Sequence, residues 1–202
     1  MKILALDSSG LVASVAVVEN DTLLAEYTVN YKKTHSQTLL PMLDEISNMT
    51  ELDLSTIDAI AVAGGPGSFT GLRIGSATAK GLGLALEKPL ISIPTTAAIA
   101  YNIWDTDKFV CPIMDARRNQ VYTGVYCYTD HRLDTVWEQD TMSIEALAEG
   151  LNCLDHEVIF LGDGVAVYRE KLEALLTIPF SFAPAHVNRQ RAAAVGALAE
   201  VY

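Results

Sequence analysis

The most concentrated chemical signal in the sequence is a glycine-rich run from Gly64 to Gly75, which reads GGPGSFTGLRIG. Glycine-rich loops between a strand and a helix can hold phosphate groups, but a Walker-type loop needs a lysine directly after its last glycine. Leu72 follows Gly71 here, so the residue that would reach the β- and γ-phosphates is missing. A serine nucleophile elbow needs glycines two residues on either side of the serine, and Ser68 has a proline and a threonine there. The run therefore predicts neither a Walker nucleotide site nor a serine hydrolase.

Two acidic turns and one Gly-Asp-Gly loop are weaker candidates for binding a nucleotide. Asp7 ends a predicted strand and leads into a turn that contains Ser9, whereas Asp115 ends a second strand and leads to two arginines. These side chains could contact phosphates, or they could belong to closed turns whose backbone N–H groups they satisfy, which we favour for Asp7 and Ser9. Gly162 and Gly164 flank an aspartate between a strand and a helix, a spacing typical of a tight turn as well as of a nucleotide loop.

Composition narrows the classes of function further. Lysine and arginine total 14 against 25 aspartates and glutamates, which gives a net charge of −11. A negatively charged protein is poorly suited to bind the phosphate backbone of a nucleic acid without a partner. Any role with RNA is therefore predicted to be indirect. The four histidines show no HExxH or HxxxH spacing, so we predict no metal site. The three cysteines are far apart, and Asp7 interrupts the N-terminus before a secretory apolar segment can form. We expect a cytoplasmic protein without a membrane segment.

The helix predicted over Gly71 to Leu86 has two faces made of small residues. The first row is Gly71, Gly75, Ala79 and Gly83. The second row is Ala77, Gly81 and Ala85. Glycine costs about 1 kcal/mol relative to alanine inside a helix, so its repeated use indicates close approach of another surface.

Packing on the helix's own sheet explains one of these faces, and we predict that the helix also contacts a partner protein. The hypothesis places the preceding leucine-rich helix beside it, and expects Gly75→Leu to abolish partner binding without disturbing the fold. The predicted interface residues are Leu39, Leu40, Leu43, Phe69, Gly71, Leu72, Ile74, Gly75, Ala79 and Leu82.

The elements that position these residues repeat in two halves, each with the order βββαβαβα. Short turns make the first three strands antiparallel neighbours, and the following β-α-β crossovers add parallel strands, so each half predicts a mixed sheet faced by helices. This is the α/β, actin-like architecture shared by Hsp70 and the sugar kinases. We place the lobes at 1–104 and 105–202, with the second lobe reduced, and expect the first helix to open at Thr34.

Five stretches of the sequence resemble the TsaB (YeaZ) family, collinearly over nearly the whole chain. They are LALDSS near the start, HSQTLLPMLDE from His35, DAIAVAGGPGSFTGLRIGSATAKGLGLAL from Asp58, MDARRNQVY from Met114 and LGDG from Leu161. The resemblance implies a non-catalytic subunit required for forming the threonylcarbamoyl group on the adenosine next to the anticodon of tRNAs. It also implies a heterodimer with the catalytic paralogue TsaD, participation of the ATPase TsaE, and a homodimer when the chain is alone.

The resemblance further implies that ATP is used by the complex and that this chain alone binds no cofactor. TsaD carries an HxxxH metal pair after a short strand of its first lobe, whereas residues 93–100 of this chain read IPTTAAIA. An ATP-dependent kinase or ATPase of the same superfold is the alternative function. It would use the two acidic turns and the Gly-Asp-Gly loop, and ATP binding by the isolated chain would distinguish it.

Overall fold

A computed structural model describes residues 1–31 and 35–202, so the helix start predicted at Thr34 lies outside the described residues. The strands are β1 (Lys2–Asp7), β2 (Val12–Glu19), β3 (Thr22–Asn30), β4 (Ala59–Gly65), β5 (Leu90–Pro94), β6 (Phe109–Arg117), β7 (Gln120–Thr129), β8 (Arg132–Ser143), β9 (Val158–Leu161) and β10 (Phe180–Phe182). The α-helices are α1 (Leu39–Thr50), α2 (Phe69–Leu86), α3 (Thr95–Ala100), α4 (Ile144–Leu154), α5 (Gly164–Leu175) and α6 (Ala192–Ala199). Within the described ranges no helix is long and apolar enough to cross a membrane.

The first compact unit comprises residues 1–98 and 190–202, built on a sheet of order β3-β2-β1-β4-β5. The β1–β2 and β2–β3 pairs are antiparallel, while β1–β4 and β4–β5 are parallel. Alternate residues of β2 face opposite sides of this sheet. Val15 and Val17 join the core beneath α1 and α2, and Ser14 accepts a 2.9 Å hydrogen bond from the backbone N–H of Ala192 at the start of α6.

The second unit comprises residues 99–189 and has a sheet of order β10-β9-β6-β7-β8. Its strands pair with the same mixture of directions, antiparallel for β6–β7 and β7–β8 and parallel for β6–β9 and β9–β10. Fully buried side chains of β9, α4 and α5 form its core, among them Phe160, Leu147 and Leu172.

The predicted order of elements along the chain and the mixed sheet of each unit are confirmed, but the division between the units differs from the predicted one. The chain leaves the first unit after Ala98 rather than at residue 104, and α6 returns to the first unit instead of closing the second. The physical reason is that α6 packs on the first sheet. Its Val195 and Leu198 side chains are buried, and Gly196 lies against Val18 and Ala5 of that sheet. The other five residues of α6 are all alanine. Their small side chains let the helix pack closely on the apolar face of the first sheet.

Candidate functional site

The glycine-rich run forms a short connection that is hydrogen-bonded within the first unit. The β4 strand ends at Gly65, whose N–H donates to Thr95 Oγ1 at 3.1 Å. The α2 helix begins at Phe69, and the Ser68 hydroxyl accepts from the backbone N–H of Gly71 at 3.3 Å as an N-cap. The N–H of Ser68 itself donates to the Ser9 carbonyl at 2.7 Å. The run is therefore bound to the β1–β2 turn.

Two glycines of the first small row, Gly71 and Gly75, are required by the close approach of that turn. A Cβ atom on Gly71 would overlap the backbone carbonyl oxygen of Ser8, and one on Gly75 would lie 2.5 Å from Ser8 Oγ and 3.5 Å from Val62. The Ser8 hydroxyl also donates to the carbonyl of Gly71 at 2.8 Å. Close contact between the α2 backbone and the turn explains why the sequence keeps glycine here despite its low helix propensity.

This contact corrects the centre of the predicted partner interface. Gly71, Gly75 and Ala79 are buried against the helix's own unit, and Leu39 and Leu43 are 1% and 4% exposed within the same core. None of these residues can be reached by a second protein in the folded chain. Gly75→Leu is accordingly expected to disrupt the fold, because its side chain would occupy the position of Ser8.

The opposite face of α2 is exposed to solvent. Phe69 is 72% and Leu84 is 84% exposed, and a Cβ atom on Gly81 would meet nothing within 4 Å. The guanidinium of Arg73 lies 4.4 Å above the centre of the Phe69 ring. We call these four residues and Lys80, which is also exposed, the α2 outer face.

Of the other predicted interface residues, Leu40 is exposed on α1, and Leu72, Ile74 and Leu82 are half-buried. Sequence reasoning missed Leu84, although a signal for it was present. Leu84 follows Gly81 by three residues, a spacing that places both on one side of a helix.

Asp7 and Ser9 form a closed turn at the end of β1. Asp7 Oδ1 accepts hydrogen bonds from the N–H of Ser9 at 2.8 Å and from its hydroxyl at 2.7 Å. Complete burial raises the pKa of Asp7 to about 6, against the opposing effect of the Ser9 hydrogen bonds and of nearby His35. This is the backbone-satisfying arrangement that we favoured from the sequence. Neither residue has exposed surface, so a ligand could reach them only after the turn opens.

Asp115 and the Gly-Asp-Gly loop meet in the second unit. The N–H of Asp115 donates to Asp163 Oδ1 at 3.2 Å, and burial, opposed by this hydrogen bond, raises the pKa of Asp163. A Cβ atom on Gly162 would overlap the carbonyl oxygen of Ile113, and one on Gly164 would lie 2.9 Å from it. Both glycines thus allow the loop to pack tightly on β6.

The Asp115 carboxylate has further partners on its open side. The Tyr168 hydroxyl donates to it at 3.2 Å, and the largely exposed Arg117 lies 3.7 Å away. Asp115 is thereby held in place beside an accessible hairpin tip. In the parts of the chain that the structure describes, no three histidine, cysteine or acidic side chains are grouped to hold a metal ion.

Comparisons with known proteins extend over nearly the whole chain. A family model described as TsaD, tRNA N6-adenosine threonylcarbamoyltransferase, matches residues 22–201. The tRNA threonylcarbamoyladenosine biosynthesis protein TsaB of Bacillus subtilis (strain 168) is 35% identical over 87% of this chain and 77% of its own length. The protein of the same name from Escherichia coli (strain K12) is 32% identical over 81% of this chain and 72% of its own.

Solved structures agree with these relatives. YeaZ from Pseudomonas aeruginosa superposes with a TM-score of 0.82 at 27% identity, covering 99% of this chain and 91% of that one. A ROK hexokinase from Thermus thermophilus superposes with a TM-score of 0.55 at 14% identity over 100% of this chain and 99% of its own, a likeness of fold alone. The predicted actin-like, sugar-kinase-like superfold is thereby confirmed. The sequence identities, the coverage and the shared fold together show that the chain belongs to the TsaB family, within the broader group that the TsaD family model describes.

Proposed function

We propose that this chain is a non-catalytic subunit that supports threonylcarbamoyladenosine formation on tRNA by docking onto the catalytic subunit TsaD. The family relationship supports the pathway, since the curated relatives carry that biosynthetic name. The single observation that carries the docking role is the α2 outer face, where large apolar side chains stand in solvent beside an unobstructed glycine.

The chemistry of this face fits a protein contact. Phe69 and Leu84 offer apolar area that is worth roughly 1.5–3 kcal/mol per side chain when fully buried. Gly81 leaves the helix backbone open to close approach by another helix. Arg73 and Lys80 are basic, and α2 contains no acidic residue although the whole chain carries a net charge of −11. An apolar and acidic surface on the partner would complement it.

The remaining parts of the proposal follow from the family. TsaE joins the complex, ATP is consumed there rather than by this chain alone, and the protein works in the cytoplasm. In the absence of TsaD, the same outer face pairs with a second copy. The closed Asp7–Ser9 turn supports the proposal that this chain alone does not consume ATP, because the two side chains that could have approached a phosphate are hydrogen-bonded to each other.

The test replaces Leu84 with lysine and measures binding to TsaD by gel filtration and calorimetry, with modification of tRNA by the reconstituted complex as the second readout. We expect at least about a tenfold loss of affinity and a parallel loss of modification, because the substitution places a charge in an apolar contact. Val167→Lys is the matched control, since Val167 is a 58% exposed apolar residue on a helix of the second unit.

Equal behaviour of the two variants would contradict docking through the α2 outer face. A separate measurement addresses the alternative enzyme. Turnover of ATP by the isolated chain, without TsaD and TsaE, would show that it is an ATP-dependent enzyme of the superfold and not a scaffold.

A further inference from the structure

A groove lies between α1 and β3, which is an outer strand of the first sheet. It encloses a volume of about 440 Å³. Its principal lining residues are Tyr27, Val29, Tyr31, Pro41, Met42 and Glu45. They come from β3, the residue directly after it, and α1, and none of them belongs to the α2 outer face.

The strand that borders the groove is at the edge of its sheet. In the order β3-β2-β1-β4-β5, β3 pairs with β2 alone, so one of its edges has backbone groups that face no strand of the described chain. Edge strands are usually protected from unwanted pairing by lysine, proline or short length. The nine residues of β3, TLLAEYTVN, include neither residue type. Its one charged side chain, Glu26, is bound to Arg191 of α6.

Side chains at alternate positions give the groove its chemistry. Tyr27 and Val29 are two residues apart and share one side of the strand. Tyr31 follows directly after the strand, and all three side chains line the groove. The tyrosines are 42% and 68% exposed, so their rings remain available to a ligand. Glu45 on α1 is exposed and makes no ion pair or hydrogen bond with any described residue. Aromatic faces beside a carboxylate attract a cation through cation–π and charge interactions.

We propose that β3 receives an extended segment of another protein as an additional strand, with a lysine or arginine side chain of that segment lying in the groove. Strand addition supplies backbone hydrogen bonds, and a pocket for an alternate side chain supplies specificity. The cationic side chain contacts the Tyr27 and Tyr31 rings and pairs with Glu45. The β3 strand of a second copy does not fit this description, because its nine residues include no lysine or arginine that could enter the groove.

The proposal can be tested with a nine-residue peptide of alternating threonine and valine that carries one central arginine and a fluorescein label. Binding to the full chain is followed by fluorescence anisotropy, and backbone amide shifts in NMR spectra locate the contact. We expect saturable binding with shifts concentrated in β3. Replacing the arginine by its uncharged analogue citrulline weakens binding, as does methylation of the alternate peptide nitrogens that pair with the strand.

Variants of the chain test whether the peptide binds in the groove. Glu45→Gln should weaken binding of the arginine peptide by about threefold to fivefold, as expected for loss of one exposed charge pair. Asp44→Asn removes the same charge one residue away, where Asp44 accepts from Asn48 at 3.3 Å, and should change binding by less than about twofold. Tyr27→Ala, which removes one ring, should weaken binding as Glu45→Gln does.

Three results would overturn the proposal. One is the lack of saturable binding up to about 1 mM peptide. Another is an equal response to Glu45→Gln and Asp44→Asn. The third is self-association that sedimentation detects in Leu84→Lys and no longer detects when Tyr27→Ala is added, because the occupant of β3 would then be a second copy.

Discussion

Replacing Gly81 with alanine should make the isolated chain more stable and at the same time weaken its contact with TsaD. Gly81 lies inside α2, and a Cβ atom there would meet nothing within 4 Å. Alanine is better than glycine in a helix interior by about 1 kcal/mol, and no clash reduces that gain. For a chain of this size the increase corresponds to about 2–4 °C in Tm.

The same methyl group has the opposite effect in the complex if a partner helix packs against Gly81. Overpacking at a close contact destabilises by about 1–3 kcal/mol, which weakens affinity about fivefold to hundredfold. A gain in stability with a loss of binding is difficult to obtain from a general folding defect. The pair of measurements therefore separates a docking role from a structural one.

Gly75→Ala provides the matched comparison on the same helix. It brings the same gain in helix propensity, but its Cβ atom would lie 2.5 Å from Ser8 Oγ, whose hydroxyl already donates to Gly71. Displacing Ser8 breaks that hydrogen bond and crowds the β1–β2 turn, at a cost of about 1–3 kcal/mol that exceeds or cancels the gain. We expect Gly75→Ala to have the same Tm as the wild type or a lower one.

The assays are thermal and guanidinium unfolding of the isolated chains, followed by calorimetric titration with TsaD. Because the outer face is also proposed to pair with a second copy, unfolding is measured at concentrations where sedimentation shows the chains to be monomeric. A lower Tm for Gly81→Ala would refute the assignment of Gly81 to the open face. Equal increases in Tm for both variants would refute the contact between Gly75 and Ser8. Unchanged TsaD affinity for Gly81→Ala would show that the partner contacts another part of the chain.

Three further predictions concern the first unit. Burial raises the pKa of Asp7 from 3.8 to about 6, so the native state binds an extra proton between these values and stability falls as pH rises through them. From pH 4 to 7 the wild type should lose about 2 kcal/mol relative to Asp7→Asn in denaturant titrations, and parallel curves would contradict this. Glu26→Gln removes the carboxylate that binds Arg191 and should lower the free energy of unfolding by about 1–2 kcal/mol, whereas an unchanged midpoint would show that this pair does not hold α6. Ser68→Ala removes the cap on Gly71 and should lower it by about 1 kcal/mol, measured in the same way, with no change expected if the cap is replaced by water.

Much of the fold could be predicted from local patterns in the sequence. Short apolar runs predict strands at residues 158–161 and 180–182, and β9 and β10 begin and end there. Both sheets also have the predicted mixture of antiparallel and parallel strands. Apolar runs and turn residues act over a few positions, so they are visible without the tertiary structure. The observed ends of strands differ from the predicted ends where strand pairing continues beyond the apolar run. The third strand of the second half, for example, is predicted over residues 132–137, but β8 extends to Ser143 because it stays paired with β7 as far as Gln120.

The position of α6 could not be predicted in this way. Its sequence, AAAVGALA, has no polar face, so helical periodicity gives it no preferred direction. Partners far away in the chain decide where it packs. Ser14 binds the N–H of Ala192, and Glu26 binds Arg191, across more than 160 residues of sequence.

The orientation of α2 shows most clearly what the sequence determined by itself and what it left open. Glycines and alanines at four-residue spacing determined that two sides of the helix lack bulky side chains, so that another segment can approach the helix backbone closely. Which side turns inward depends on Ser8, which is 63 residues from Gly71 in sequence and whose backbone oxygen leaves no room for a Cβ atom. Only the tertiary structure brings that turn against the helix. Steric exclusion between distant segments therefore decided that Gly71 and Gly75 are buried and that Gly81 and Leu84 face solvent.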